Sequence, residues 1–131
     1  MRKIIFDTNA YIRYLNGDTK VLNVLAEAET VFMSIFVLGE LYAGFRGSTK
    51  EKQNREVLNS FLEKPTVSIL EATAETAEVF GEIKDSLKRA GTPLPINDVW
   101  IAAHGIESGS VIISFDAHFK KFPGLRLWDE L

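Results

Sequence analysis

An α/β fold with a mainly parallel sheet is predicted for this 131-residue chain by three observations. Short runs rich in β-branched and aromatic residues recur along it, and longer stretches with apolar residues at helical spacing lie between them. No repeat, low-complexity tract or Gly/Pro/Ser-rich linker interrupts the alternation. Strands alternating with helices imply βαβ crossovers, which leave a parallel sheet covered on both faces. The expectation is a single domain over residues 1–131, large enough to bury a core without staples.

In chain order, residues 3–6 read as the first strand and stop abruptly at Asp7-Thr8-Asn9, residue types that make turns and cap helices. Residues 20–29 carry apolar side chains at helical spacing, and 30–33 form the second strand. Ser34 stands where a cap would begin a helix over 35–45. A further helix is predicted over 50–63 and a third strand over 66–70. Residues 73–90 form a long amphipathic stretch, halted by Gly91-Thr92-Pro93-Leu94-Pro95. A mostly apolar helix over 97–107 ends at Ser108-Gly109. Residues 110–115 are the fourth strand, passing into a short helix at Asp116-Ala117-His118-Phe119, and 126–128 are a candidate fifth.

Composition excludes several function classes. At 46% hydrophobic and 25% charged the chain is ordinary for a soluble protein, and no apolar run approaches the roughly 20 residues a membrane span needs. Its first apolar run is cut by Asp7, so no secretory pattern is expected. Without cysteine there is no disulfide, thiolate metal site or thiol nucleophile, and a cytoplasmic setting is expected. A net charge of −3 speaks mildly against nucleic acid as a partner. That argument weakens if four of the 18 acids hold cations, because the remaining 14 then stand against 15 Lys and Arg.

Ligands of such sheets bind beyond the carboxyl ends of the strands. Asp7 follows the first strand and Asp116 the fourth. Asp98 opens a helix whose Val99-Trp100-Ile101-Ala102-Ala103 is apolar nearly all round, so it points along the helix towards one end of the sheet. Each of these acids, taken alone, has an ordinary explanation as a turn, a cap or a favourable charge at a helix N-terminus. Glu40 is harder to dismiss. Its helical neighbours Phe36, Val37 and Ala43 put a carboxylate on or beside an apolar face, where it needs a buried Arg or Lys, a solvated tip or a metal.

Four acids from separate elements suit a site assembled by the fold. Carboxylates without thiols and with little histidine favour a hard cation, Mg²⁺ or Mn²⁺. Such an ion lets repelling carboxylates stay ionised together, activates water and offsets charge on a phosphodiester. Asn9 and Ser114 are candidates to orient ligands or water around it.

Asp7-Thr8-Asn9, Val37-Leu38-Gly39-Glu40-Leu41, Asn97-Asp98-Val99-Trp100-Ile101-Ala102-Ala103 and Ser114-Phe115-Asp116-Ala117-His118-Phe119 occur in an order and spacing that resemble the PIN-domain nucleases, specifically VapC-type toxins of toxin–antitoxin pairs. The resemblance spans essentially the whole chain. It implies a three-layer α/β/α sandwich and a Mg²⁺/Mn²⁺-dependent endoribonuclease whose acidic cluster is Asp7, Glu40, Asp98 and Asp116. It further implies a homodimer and a cognate antitoxin covering the active-site groove. Ser114 stands where the family commonly has Thr and keeps the hydroxyl. Asn9 matches the small polar residue that supports the first Asp.

His104, on the apolar helix, reads as a packed or hydrogen-bonded residue rather than a ligand, and His118 as a cap or surface residue within reach of the site. Arg13 and Arg46 are candidates for RNA phosphate contact. Tyr11, Tyr14, Tyr42 and Phe45 read first as core, and Gly39, Ala43 and Gly44 as a surface a second helix can approach. Three other functions stay open: a housekeeping RNA-processing nuclease, a binding module with a degenerate metal site, and a phosphatase using Asp7 as nucleophile. The last wants a second Asp where the chain has Asn9.

Overall fold

The computed structural model describes residues 2–128. Its elements in order are β1 (Lys3–Phe6), α1 (Thr8–Leu15), α2 (Thr19–Glu27), β2 (Thr30–Ser34), α3 (Ile35–Phe45), α4 (Glu51–Leu62), β3 (Val67–Leu70), α5 (Ala74–Ala90), α6 (Ile96–Ser108), β4 (Val111–Ile113), a 3₁₀ helix (Ala117–Lys121) and β5 (Arg126–Leu127). The strands form one five-stranded sheet in the order β3-β2-β1-β4-β5, every pair parallel. Helices cover both faces, giving a three-layer α/β/α sandwich.

The order has a direct consequence. The chain builds outwards from β1 through β2 to β3, then returns to lay β4 on the other side of β1. The switch point therefore lies between β1 and β4, and the crevice at their carboxyl ends opens beside Phe6 and Ile113, which are register partners. A central parallel strand buried on both faces is apolar throughout. Ile4, Ile5 and Phe6 accordingly have no exposed surface.

Aromatic side chains fill the two helical layers. Phe6, Tyr11, Tyr14 and Phe61 pack with ring centroids 5.1–6.3 Å apart, joining β1, α1 and α4. Elsewhere Trp100 of α6 stacks between Phe80 at 3.8 Å and Phe36 at 4.8 Å, tying α6 to α5 and α3. Gly105 lets α6 lie directly on the sheet: a Cβ there would meet Ile112 Cδ1 at 2.8 Å and Leu125 Cδ1 at 2.9 Å. By contrast, Gly39 and Gly44 on α3 face open space, so no helix among the described residues makes the close approach they permit.

The element expected at 110–115 is shorter in the structure, ending at Ile113. Ser114 leaves the ladder because its hydroxyl turns to Asp7. Helix α1 is an addition to the sequence-based reading. It is only eight residues long, and Asp7 starts it by accepting from the Ala10 N–H at 2.8 Å. Its inner face is the buried Ala10 and Tyr11 with the half-buried Tyr14, too short a stripe for a periodicity to stand out. The fifth strand forms over Arg126–Leu127, and Trp128 continues its bonding by donating its N–H to Ile112 O. No helix is long and apolar enough to cross a membrane among the described residues.

Candidate active site

Asp7 sits at the carboxyl end of β1 with 5% of its surface exposed. Its backbone N–H donates to Ile113 O at 3.2 Å, locking the β1 and β4 ends together. Its two side-chain oxygens are divided. Oδ1 caps α1 through Ala10, and Oδ2 accepts from Ser114 Oγ at 2.5 Å. Burial pushes the Asp7 carboxyl up to about 6, against which these two hydrogen bonds work; the negative charges of Asp98 and Asp116 push it further upward. Asp7 thus combines a structural cap with a charge held at a disadvantage.

Asp98 and Asp116 approach from opposite sides. Asp98 is in the first turn of α6, half-buried, where the helix dipole favours a negative charge. Asp116 caps the 3₁₀ helix after β4, and its own N–H donates to Ser114 Oγ at 3.0 Å. Ser114 therefore positions both Asp7 and Asp116. Between the two acids stands His118. Its Nε2 is 2.5 Å from Asp98 Oδ2 and its Nδ1 is 2.9 Å from Asp116 Oδ1. Among the described residues, Asp98, Asp116 and His118 form a group whose ligand atoms lie within 4.8 Å of one another.

Of the settings open to Glu40, the structure shows the one with its carboxylate in solvent. The buried stripe of α3 is Val37, Leu38 and Leu41, and Glu40 lies on its flank in solvent. It needs no buried Arg or Lys. Asn97, the residue before Asp98, donates from Nδ2 to Glu40 Oε1 and joins α3 to the start of α6. Glu40 thus connects to the cluster through Asn97 and lies outside the 4.8 Å group.

Asn9 is exposed and lines a groove of about 480 Å³ with Ile12, Arg13, Phe115, Asp116 and Ala117. The Asp7 oxygens are bonded to Ala10 and Ser114 rather than to Asn9. Arg13 lies with its guanidinium carbon 3.9 Å from the Phe115 ring centroid and reaches Asp18 at 3.4 Å. Arg46 is exposed at the C-cap of α3. His104 is a core residue, as its apolar surroundings in the sequence imply: Nδ1 meets Ser34 Oγ at 2.8 Å and Nε2 meets Glu71 O at 3.1 Å. Tyr11 is wholly buried, its hydroxyl without a protein partner among the described residues, and burial pushes it up to about 12. Tyr42 is half-buried beneath Arg55, whose guanidinium carbon is 4.9 Å from the ring centroid.

Sequence reasoning undervalued His118 and passed over Asn97. The signals were slight: one lies two residues beyond Asp116, the other one residue before Asp98.

The PIN-domain family model matches residues 4–125. This chain belongs to the PIN-domain family. Within this PIN domain, Asp7, Asp98 and Asp116 gather at the switch point between β1 and β4. The chain is 33% identical over 133 residues to Ribonuclease VapC2 of Rickettsia felis, spanning 96% of this chain and 98% of the relative. It is 28% identical over 132 residues to the tRNA(fMet)-specific endonuclease VapC of Salmonella typhimurium, spanning 98% of both. In three dimensions it matches a chain in the crystal structure of VapBC2 from Rickettsia felis bound to a DNA fragment from their promoter. That match has a TM-score of 0.84 at 27% identity, over 96% of this chain and 97% of the other. The PIN chain described here is thus a VapC-type ribonuclease by family.

A hard divalent cation fits the donor set of this PIN domain. The ligand atoms of Asp98, Asp116 and His118 are close enough to share one ion, and Asp7, raised first by burial and then by the charges of Asp98 and Asp116, is a carboxylate that a cation would help to keep ionised.

Proposed function

We propose that this PIN domain is a Mg²⁺- or Mn²⁺-dependent endoribonuclease, the toxin of a toxin–antitoxin pair. The observation that carries the reading is the convergence of Asp7, Asp98 and Asp116 at one sheet edge, where the burial of Asp7 and the charge of its neighbours hold its carboxyl at about 6. Asp98, Asp116 and Asp7 would hold the ion, with Glu40 reaching it from the rim through the bond to Asn97. When bound, the ion supplies Lewis acidity that activates water and offsets charge on the phosphodiester.

The protein's own contribution is positioning. Ser114 fixes the facing oxygens of Asp7 and the backbone of Asp116, so both carboxylates keep one geometry without rearranging. Asn97 ties Glu40 of α3 to the start of α6 beside Asp98. The groove beside Asp116 gives the RNA backbone a path past Asn9 and Arg13, and the guanidinium stacked on Phe115 offers charge to a phosphate while the ring offers a face to a base. No side-chain nucleophile is needed, which accords with a chain that has no cysteine and whose carboxylates face one another. The structural relative solved as VapBC2 on promoter DNA supports a partner antitoxin for this chain as well.

Induced expression tests the reading. The wild-type chain should arrest growth and leave cellular RNA fragments with 5′-phosphate ends, Asp98→Asn should do neither, and co-expression of a cognate antitoxin should restore growth. Unimpaired growth with intact RNA at equal expression would overturn it.

A further inference from the structure

We infer that His118 is a nitrogen ligand of the divalent cation, so that this site prefers Mn²⁺ to Mg²⁺. The inference rests on the metal-dependent reading above and adds to it a residue outside the four carboxylates.

The two nitrogens of the His118 imidazole face two different acids. Nδ1 lies 2.9 Å from Asp116 Oδ1, and the same oxygen accepts from the His118 backbone N–H at 3.1 Å. These two contacts with one oxygen hold the ring beside Asp116. The other nitrogen, Nε2, faces Asp98 Oδ2 at 2.5 Å, so the imidazole stands between the two acids. An imidazole that donates one nitrogen to a carboxylate and turns the other to a metal is the usual setting of a ligating histidine.

Distances agree with this assignment. Donors around one octahedral Mg²⁺- or Mn²⁺-sized ion are separated by about 3 Å when adjacent and about 4.2 Å when opposite. The ligand atoms of Asp98, Asp116 and His118 all lie within 4.8 Å of one another, close to the span of one coordination sphere. The one contact that must open is Nε2 to Asp98 Oδ2. Both contacts of His118 to Asp116 fall on Oδ1, which leaves Oδ2 for the ion.

A nitrogen donor carries a preference. Carboxylate and water suit Mg²⁺ and Mn²⁺ alike, whereas imidazole favours the transition metal. His118 is half-exposed at the end of a short 3₁₀ helix and packs no core. Its replacement therefore tests ligation with little disturbance of folding. The other histidine, His104, is buried with both ring nitrogens engaged and offers no competing signal.

The experiment is electron spin-echo spectroscopy of Mn²⁺ bound to the whole chain, unlabelled and with ¹⁵N-histidine, alongside calorimetric titration with Mn²⁺ and Mg²⁺. The expected result is an imidazole nitrogen modulation in the wild type that changes on ¹⁵N-histidine labelling and disappears in both His118→Ala and His118→Asn. Mn²⁺ affinity should fall at least about 10-fold in these variants and Mg²⁺ affinity by less. Stoichiometric Mn²⁺ without nitrogen coupling would overturn the role of His118 and leave the carboxylate site standing. Nitrogen coupling that persists in the variants would overturn it too. Failure of the wild type to bind Mn²⁺ would overturn both this inference and the metal-dependent reading.

Discussion

Ser114 Oγ donates to Asp7 Oδ2 across 2.5 Å, joining two residues 107 positions apart at the adjoining ends of β4 and β1. The bond is one of two that hold the Asp7 carboxyl down against burial. Removing it in Ser114→Ala should lift Asp7 above its present value of about 6 and free the backbone of Asp116. The acid limb of the pH–rate profile for RNA cleavage should move to higher pH, with activity near pH 7 down about 10-fold. Ser114→Thr keeps the hydroxyl and should stay close to wild type. An unmoved limb in Ser114→Ala would rule out the bond as a control on Asp7.

Asp7 is also a cost to the fold. Its folded value of about 6 lies above the 3.8 of the free group, so the folded state holds the proton more tightly. Stability is therefore greatest at low pH in this respect and falls as pH rises from about 4 to about 6. In the absence of divalent ions, Asp7→Asn should be more stable than wild type at pH 7 by about 2 kcal/mol, the difference vanishing near pH 4. Urea denaturation at the two pH values measures this. Adding Mn²⁺ should stabilise wild type more than the variant.

His104 works in the opposite direction. Burial lowers its value below the usual 6.5, so the unfolded chain binds the proton first. Its contribution is present above pH 6.5 and is lost on acidification towards the lowered folded value. His104→Ala leaves Ser34 Oγ and the Glu71 carbonyl without this partner and opens a cavity, at a cost of about 2–4 kcal/mol. Thermal melts from pH 8 to pH 5 should show the wild type falling and the variant, lower at the start, falling less.

Arg13 should act on binding rather than chemistry. Its guanidinium lines the groove next to Asp116 without touching the carboxylate cluster. Arg13→Ala should raise KM several-fold with kcat nearly unchanged, and reduce the salt dependence of RNA binding by about one phosphate contact. A fall in kcat with unchanged KM would place Arg13 in the chemical step.

How far the sequence could be read depended on whether a feature was local. Strand β1 is a continuous apolar run, and the end of α5 is marked by Gly91 at φ 68° just ahead of two prolines, so both were legible. Asp7 and Asp116 were found from their places at strand ends, which parallel sheets make informative. Glu40 does lie beside the buried stripe of α3, but helical neighbours give a face and not a depth, so its exposure to solvent was not legible. The bond from Asn97 to Glu40 spans 57 positions, and the contact of His118 with Asp98 spans 20. Neither leaves a periodic trace. Only the crossing of α3, α6 and the 3₁₀ helix brings those side chains together.

The most direct test of the account is cleavage of end-labelled RNA by the purified chain, with Mn²⁺, Mg²⁺ or EDTA, for wild type, Asp98→Asn and Asp116→Asn. The account predicts products with 5′-phosphate ends only when a divalent ion is present, and a loss of at least about 10²-fold in both variants. Cleavage that continues in EDTA, or at the wild-type rate in either variant, would contradict it.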